Sequence, residues 1–477
     1  MRTVPCRLGD QWIDDTPSQT LLTNPSRPEE LVAAVPELGV DDVKAAMAYA
    51  SGAASAWAGT PPVQRARLLS DAADRLEDRR SNLVNDLVAE GGKPVGEATG
   101  EFEKSVATLR YYAGLAGALD GRSFPAAEPG TRIHTRREPI GPVVAITPWN
   151  VPLASPTRKV APALLAGNPV IIKPATLTPI SAYHLVAAFV DAGAPPGIVQ
   201  TITGPGSQVG AALIGQRQVA AVSFTGSTEV GLAMRSQLGN DLARLQLELG
   251  GKNGAVVLAD CDLERAAATI VADAFALAGQ QCTSTSRVIV DEAVAADLES
   301  RLVARALTIE VGSTSDPSVQ MGPLIDTGQV DVVDGFVRRA VREGASIACG
   351  GIRLERPGHF YAPTILTGVS PDMEVAREEV FGPVLSVIRV RSASEALDVL
   401  NDTPYGLSAS IHTTSLATAE MFVSGTDAGV TSVNGPTSGI ELPAPFGGFK
   451  LSGTSYKEHG PEALDFYTRI KLVRWTA

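Results

Sequence analysis

The amino-acid sequence predicts an α/β protein built on a doubly wound parallel sheet, in which helices cover both faces of the strands. Short β-branched runs alternate with helical patterns from residue 142 to about residue 249, as strands and helices do in parallel sheets. A second alternating series begins near Gly250 and continues to about Gly447. The chain of 477 residues is also too long for one hydrophobic core. We therefore expect two or three domains.

Two amphipathic helical patterns occupy the N-terminal part of the chain, at residues 41–57 and 63–90. Apolar residues recur there at spacings of three and four, and the clearest stripe consists of Leu68, Leu69, Ala72, Ala73 and Leu76. The second pattern stops at "GGKP", where two glycines and a proline signal the end of a helix. We interpret both patterns as helices packed on a core.

Five β-branched runs follow residue 141, and helical patterns such as 181–192 and 227–238 follow all but the first run. The runs are "PVVAITPWN", "NPVIIKPA", "IVQTITG", "VAAVSFTGST" and "NGAVVLAD". Residues 120–141 interrupt the series, and their central part, 131–138, alternates like a strand with two polar faces. The tail "EALDFYTRIKLVRW" has the same pattern. Together these two segments predict an edge sheet that serves in oligomerisation.

Charge and composition exclude several classes of protein. A formal net charge of −12 argues against nucleic-acid and anionic-membrane partners, because both need basic patches. The N-terminus lacks the apolar core of a signal peptide, and no window approaches the roughly 18 apolar residues of a membrane span. The cysteines are scattered and the histidines do not cluster with them, so we expect neither zinc nor a disulfide framework. A reducing cytoplasm fits this chain best.

Cys282 lies at the boundary between two elements, in "FALAGQQCTSTSRVIV", where an apolar helical stretch meets a strand-like run. A buried cysteine can simply be a small core residue. The alternative is a nucleophile, which requires a base, an oxyanion site and a cofactor elsewhere in the chain. The residues around Cys282 leave both interpretations open.

Candidate ligand-binding residues follow the predicted strands, because open parallel sheets bind ligands at the carboxyl ends of their strands. Gly226 allows a tight turn and Ser227 opens a helix, whose free N–H groups suit a pyrophosphate. Lys173 ends another strand and is either a surface charge or a ligand of a ribose or phosphate. Asn150 is either a turn residue or a donor to an oxyanion.

Two glutamates and an aromatic residue complete the candidates. Glu248 sits in "LQLELGGKN", where an apolar setting would raise the pKa of its carboxyl and suit a general base. The alternative for Glu248 is a surface charge at the end of an element. Glu379 and Phe381 precede a Gly-Pro turn in "AREEVFGPV".

The order and wording of these segments resemble the aldehyde dehydrogenase superfamily over essentially the whole chain. The matching segments are "NPSRPEELVAAVPE", "TPWN", "IIKPA", "SFTGST", "LELGGKN", "GQQCTSTSR", "EEVFGPV" and "PFGGFKLSG". The resemblance implies a dinucleotide-binding domain (1–119 and 142–249), an α/β catalytic domain (250–447) and a small β oligomerisation element (120–141 and 455–477). It also implies self-association into a dimer or tetramer.

The resemblance further implies a mechanism in which Cys282 attacks an aldehyde and Glu248 activates water to hydrolyse the resulting thioester. The Asn150 side chain and the Cys282 backbone N–H would hold the oxyanion. Glu379 would bind the nicotinamide ribose, Phe381 would pack near that ring and Lys173 would contact the adenosine ribose. The other residues implied for the cofactor site are Ile146, Thr147, Pro148, Trp149, Gly206, Gly210, Phe224, Gly226, Ser227 and Val230.

Two alternative functions remain at the level of the sequence. An acylating enzyme would pass the thioester to coenzyme A, but that branch of the superfamily lacks a glutamate at the position of Glu248. A non-catalytic relative would normally have lost Cys282 or Glu248, and both are present. The family resemblance with a hydrolytic outcome is therefore the favoured hypothesis.

The segment Lys173-Pro174-Ala175-Thr176 bears on the choice of cofactor. Many NAD-preferring relatives carry a glutamate at the fourth of these positions, where it binds ribose hydroxyls and would repel a 2′-phosphate. The Thr176 hydroxyl could donate to that phosphate, or it could only cap the helix that follows. We expect NADP to be accepted at least as well as NAD.

Arg158 lies eight residues after Asn150, where many relatives place a bulky aromatic residue at the mouth of the substrate tunnel. In succinate-semialdehyde dehydrogenases a similar "TRK" segment supplies an arginine that binds the distal carboxylate. The chain departs from those enzymes at Ala276, where they have a second arginine, and Arg287 cannot be counted as its replacement. Arg158 could instead face solvent or a neighbouring acid. We expect a short semialdehyde with a distal acid group, and the alternative is a neutral or aromatic aldehyde.

Overall fold

Five parallel strands form the first sheet in the computed structural model of the chain, which describes residues 2–238 and 242–476. Their spatial order is Arg244–Glu248, Ala221–Thr225, Val143–Ile146, Val170–Lys173 and Val199–Thr201. Along the chain, the central strand Val143–Ile146 comes first. The next two strands are added on one side of it, and the last two on the other side. Because the order reverses between Val143–Ile146 and Ala221–Thr225, a crevice forms at the carboxyl ends of these two strands. Ligands bind at this place in sheets of this kind.

Helices cover both faces of this first sheet. Val143 and Ala145 pack into one hydrophobic cluster, whereas Val144 and Ile146 pack into another on the opposite face. The alternation follows from the two-residue period of a strand, and a strand buried on both faces is apolar throughout. The doubly wound parallel sheet predicted from the sequence is confirmed.

Seven strands form the second sheet, and only one edge pairing is antiparallel. The order is Ser346–Cys349, Thr364–Thr367, Val384–Val390, Arg287–Asp291, Gly254–Val257, Ser408–His412 and Val430–Val433. The central strand Arg287–Asp291 follows Cys282 directly, so that this sheet fixes the position of the candidate nucleophile.

A three-stranded antiparallel sheet joins the two odd segments of the sequence. The strand Thr468–Thr476 pairs along its whole length with Thr131–Pro139, which also pairs with Ser123–Phe124. The predicted pairing of these segments in one edge sheet is confirmed. The predicted domain limits stay a prediction, and residues 1 and 477 at their ends lie outside the described residues.

The helices depart from the sequence prediction in the N-terminal part. The pattern at 63–90 is two helices, Pro62–Glu77 and Arg80–Gly91, because the chain bends at Asp78 and Arg79. A further helix, Val95–Gly114, follows Pro94 and was not predicted. The first β-branched run is also followed by a helix, Ala154–Ala166, contrary to the prediction.

The remaining elements complete the framework. The other helices are Val40–Gly59, Ile180–Asp191, Ala211–Ile214, Thr228–Leu238, Leu263–Phe275, Ala295–Ala306, Thr327–Glu343, Glu374–Arg377, Ala393–Asn401, Leu416–Gly425 and Ala463–Tyr467. The other strands form short hairpins or pairs, and they are Cys6–Leu8, Gln11–Ile13, Gln19–Asn24, Arg27–Pro36, Tyr405–Gly406 and Phe449–Lys450. Within the described residues, no helix has both the length and the apolar composition needed to cross a membrane.

Candidate active site

One cavity of about 720 Å³ extends from the carboxyl ends of the first sheet to Cys282. Nearly all the residues singled out in the sequence line it. These are Ile146, Thr147, Pro148, Trp149, Asn150, Arg158, Lys173, Gly206, Gly210, Phe224, Gly226, Ser227, Val230, Glu248, Cys282, Glu379 and Phe381. Thr176 lies outside this lining, and the helix that follows it begins at Ile180 with Pro179 as its cap, so the capping alternative for Thr176 is wrong.

Cys282 sits in the turn that connects the helix Leu263–Phe275 to the strand Arg287–Asp291. Asn253 fixes this turn, because its Nδ2 donates to the carbonyl oxygens of Cys282 (2.7 Å) and Ser284 (2.9 Å). Burial and the negative charge of Glu379 raise the pKa of the Cys282 thiol to about 12. The cysteine at rest is therefore a thiol and must lose its proton before it can act as a nucleophile.

Asn150 follows the central strand of the first sheet and is buried. Its Nδ2 donates to the carbonyl oxygen of Gln280 at 2.8 Å. A side-chain amide has two N–H donors, so the second remains for a ligand in the cavity. The geometry suits stabilisation of a negative oxygen near Cys282.

Glu248 ends the outermost strand of the first sheet, and only 2% of its surface is exposed. Neither carboxyl oxygen has a hydrogen-bond partner among the residues that the structure describes. Burial and the nearby charge of Glu458 raise the pKa of Glu248 well above the usual carboxyl range. Gly447 leaves room for this carboxyl, since a Cβ there would lie 3.0 Å from Glu248 Oε1. A carboxyl with a raised pKa in such surroundings is suited to take up and release a proton as a general base.

Two charged residues that the sequence analysis missed lie behind Glu248. Lys159 is fully buried, and its Nζ pairs with Glu458 and donates to Ser223 Oγ at 2.9 Å. Glu458 is also buried and lines the cavity. The sequence analysis assigned residue 458 to an oligomerisation segment and used the "TRK" segment only for Arg158.

Arg158 lines the cavity beside Glu458, with 14% of its side chain exposed. Its Nη1 lies 3.4 Å from His459 Nε2, and its Nε lies 3.8 Å from Glu458 Oε2 without a hydrogen-bond partner within the described chain. The helix that carries Arg158 is fixed at its start, because Glu101 Oε1 accepts the N–H groups of Leu153 (2.9 Å) and Ala154 (3.0 Å). Arg158 thus faces both the cavity and a neighbouring acid.

Arg287 lies away from the cavity, although it follows Cys282 closely in the sequence. It is fully buried, and its Nη2 donates to the carbonyl oxygens of Lys252 (2.7 Å) and Leu400 (3.0 Å). These contacts bind it to the backbone just before the strand Gly254–Val257 and at the end of the helix Ala393–Asn401, so it offers no charge to a substrate.

The opposite end of the cavity is shaped by Glu379 and Phe381. Glu379 Oε1 accepts the Gly251 N–H at 3.2 Å, and Gly250 allows this approach because a Cβ there would lie 2.3 Å from Glu379 Oε2. Phe381 has a left-handed backbone (φ 53°), and its ring packs edge-to-face on Trp149 at 5.4 Å. Gln329 Nε2 stabilises this turn by donating to the Phe381 carbonyl oxygen at 2.9 Å.

The residues at this end fit a dinucleotide. Burial lowers the pKa of Lys173 to about 8, and the only contact of its Nζ within the described chain is the Pro174 carbonyl oxygen at 3.1 Å. Thr225 Oγ1 and Thr147 Oγ1 line the same cavity and are buried without hydrogen-bond partners among the described residues, which is unusual unless a polar ligand satisfies them. The helix Thr228–Leu238 begins beside Gly226, and Ser227 and Val230 at its start line the cavity, where the N-terminus of a helix suits a pyrophosphate.

Comparison with known proteins agrees with the fold and the cavity. The model of the Aldehyde dehydrogenase family matches residues 12–473, and the chain belongs to this family. It is accordingly an NAD(P)-dependent aldehyde dehydrogenase.

Relatives of known name and structure cover nearly the whole chain. Alpha-ketoglutarate semialdehyde dehydrogenase of Haloferax volcanii is 41% identical over 472 residues, and 2,5-dioxopentanoate dehydrogenase of Saccharolobus solfataricus is 40% identical over 469, each alignment covering 98% of both chains. Betaine aldehyde dehydrogenase of Staphylococcus aureus in complex with NAD+ superposes with a TM-score of 0.96 at 30% identity, covering 99% of this chain and 94% of the other. An NADP-dependent enzyme of E. coli gives 0.97 at 32% identity, covering 100% and 98%.

Proposed function

We propose that this enzyme oxidises a short aldehyde with an acid group at its far end, such as a semialdehyde of a dicarboxylic acid, to the carboxylic acid. The observation that carries the proposal is Arg158, a cation at the end of the cavity that also contains Cys282 and Glu248. The two relatives named above act on semialdehydes that bear a carboxylate, to judge by their names.

The charges around Arg158 support an anionic substrate group. Glu458 forms its closest ion pair with Lys159, and Arg158 lies at the longer distance of 3.8 Å. Lys104 lies outside the cavity lining, where burial and the charge of Arg158 lower its pKa and the charge of Glu441 opposes that shift. Arg158 and Lys159 thus carry two positive charges beside the one negative charge of Glu458, which favours a carboxylate next to Arg158.

The proposed mechanism assigns a step to each catalytic residue. The Cys282 thiol gives its proton to solvent, and the thiolate sulfur forms a bond to the aldehyde carbon. The oxyanion accepts hydrogen bonds from Asn150 Nδ2 and the Cys282 N–H. The nicotinamide cofactor, when bound, supplies the acceptor for the aldehyde hydride. Glu248 then takes a proton from water, whose oxygen attacks the thioester carbonyl and releases the acid and the Cys282 thiolate.

We also propose that NADP is accepted at least as well as NAD. The argument is that the chain has no carboxylate at Thr176 to repel a 2′-phosphate, whereas Lys173 lies in the cavity to pair with it. The position of Thr176 outside the cavity lining leaves Lys173 as the main support. A ratio of kcat/KM that favours NAD by more than about tenfold, or 1.4 kcal/mol, would contradict the proposal.

Self-association and a cytoplasmic location complete the proposed function. The strand Thr468–Thr476 is the edge of its sheet and leaves Ile470, Leu472 and Trp475 mostly exposed, which is typical of a strand that another chain covers. The four cysteines are unpaired, and a nucleophilic Cys282 requires a reducing compartment to remain a thiol.

The substrate proposal is tested by replacing Arg158. Arg158→Met should raise KM for an acidic aldehyde by roughly 10- to 100-fold, because one charge-assisted pair is lost, and should leave a neutral aldehyde of equal length unaffected. Arg158→Lys is the matched control, since it keeps the charge and should recover part of the loss. Equal effects on the acidic and the neutral aldehyde, or no effect on either, would refute a distal acid group.

A further inference from the structure

Glu97 lies outside the cavity that binds the substrate, but it contacts the turn that precedes Cys282. Glu97 Oε1 accepts the Leu277 N–H at 2.8 Å, while Oε2 is buried and has no partner in the described part of the chain. Glu97, Leu277, Gln280 and Asn150 also line one small cavity behind the active site. Nothing in the chemistry proposed above uses this carboxyl.

The turn that Glu97 holds is strained. Leu277 and Ala278 have φ values of 50° and 54°, in the left-handed region that residues with a Cβ rarely adopt. Two such residues in succession persist only where surrounding contacts hold them. Those contacts are the Glu97 hydrogen bond and Gln280, whose Nε2 donates to the Leu277 carbonyl oxygen at 3.0 Å and whose Oε1 accepts the Ile325 N–H at 3.0 Å.

The same turn sets the position of the oxyanion donor. Asn150 Nδ2 donates to the carbonyl oxygen of Gln280 at 2.8 Å, and Gln280 ends the strained turn. A change in the turn therefore moves the Gln280 carbonyl oxygen and with it the Asn150 amide that donates to it. A catalytic group displaced by about 1 Å can lower the rate a hundredfold.

We infer that Glu97 is a positioning residue for the oxyanion site: it holds the turn at residues 276–280 so that the Gln280 carbonyl orients the Asn150 amide. The inference rests on the proposed role of Asn150. It assigns to Glu97 an effect on the chemical step and none on the binding of cofactor.

Glu97→Met removes the acceptor with little change of volume. In single turnovers of the full-length enzyme, we expect it to lower the rate of hydride transfer roughly 10- to 100-fold and to leave the Kd for NADP unchanged. Glu97→Gln keeps an acceptor oxygen for Leu277 and should stay within about threefold of the parent rate.

A matched control separates positioning from stability. Glu90 is also a buried carboxyl, whose oxygens accept the N–H groups of Ile180 (2.8 Å) and Ser181 (3.0 Å) away from the cavity. Glu90→Met should lower the melting temperature without changing hydride transfer in the folded protein. Equal loss of rate in Glu90→Met and Glu97→Met would overturn the inference.

A double-mutant cycle separates this inference from the proposed function. If Glu97 acts through Asn150, adding Glu97→Met to Asn150→Ala should lower the rate of hydride transfer by less than about a further threefold. Independent, multiplicative losses would overturn the role of Glu97 alone. An Asn150→Ala variant with the parent rate would instead remove the proposed role of Asn150.

Discussion

Glu248 and Glu458 form a pair of buried carboxyls that hold protons differently. Burial and the charge of Glu458 raise the pKa of Glu248, whereas Lys159 and Arg158 lower the pKa of Glu458 below its usual range in spite of burial. Glu458 is therefore the ionised carboxylate of the pair, and Glu248 is the carboxyl that holds its proton more tightly. Such a separation of two neighbouring carboxyls is how proteins assign acid–base roles.

The pH profile of kcat should follow Glu248. A protonated carboxyl cannot accept a proton from water, so kcat should be low below the raised pKa of Glu248 and increase as the pH passes through it. Glu458→Gln removes a negative charge and frees the Lys159 cation, and both changes should shift the rising limb to lower pH. Glu462→Gln, at an exposed position nearby, should leave the profile unchanged. A shift to higher pH in Glu458→Gln would contradict this electrostatic account.

At the residue scale, the sequence indicates candidate site residues where they lie at or just after the ends of strands. Asn150 follows a strand of the first sheet, and Lys173 and Glu248 each end one, so each could be located from the strand pattern and then assigned by resemblance. Lys159 and Glu458 could not, because they are 299 residues apart and meet only in the folded chain. No spacing in the sequence signals such a contact.

At the scale of elements, the helical pattern at 63–90 shows a limit of periodicity. The apolar stripe continues across Asp78 and Arg79, where neither glycine nor proline marks the break between the two helices. The helix Val95–Gly114 was missed, although Ala98, Phe102, Val106 and Leu109 form an apolar stripe that could have revealed it. This omission matters, because that helix carries Glu97 and Glu101.

The edge strand Thr468–Thr476 predicts the behaviour of the protein in solution. Replacing both Ile470 and Leu472 with lysine should lower the molar mass measured by light scattering, because charge on an exposed edge opposes strand pairing between chains. Leu307→Lys is the matched control at another exposed leucine and should keep the parent mass. A parent protein that is monomeric at micromolar concentration would contradict the proposed self-association.

At the scale of the whole molecule, the active site is formed by two sheets. The sequence predicts each sheet but does not predict how the two are placed relative to each other. The first sheet contributes Asn150 and Glu248 at or just after its strand ends, and the second places Cys282 in the turn before its central strand. Each sheet was predictable from the alternation of strands and helices, because that pattern is local. Their mutual placement was not, since contacts such as Asn150 to Gln280 join residues 130 positions apart.

The central claim is that Cys282 forms a thioester that Glu248 hydrolyses, and stopped-flow measurement of the reduced cofactor tests it most directly. Glu248→Gln should give a burst of about one equivalent per active site at neutral pH and then almost no turnover, while Cys282→Ala should give no burst and lose several powers of ten in rate. Cys261→Ala, which changes another partly exposed cysteine, should behave as the parent enzyme. Full steady-state turnover in either Cys282→Ala or Glu248→Gln would contradict the account.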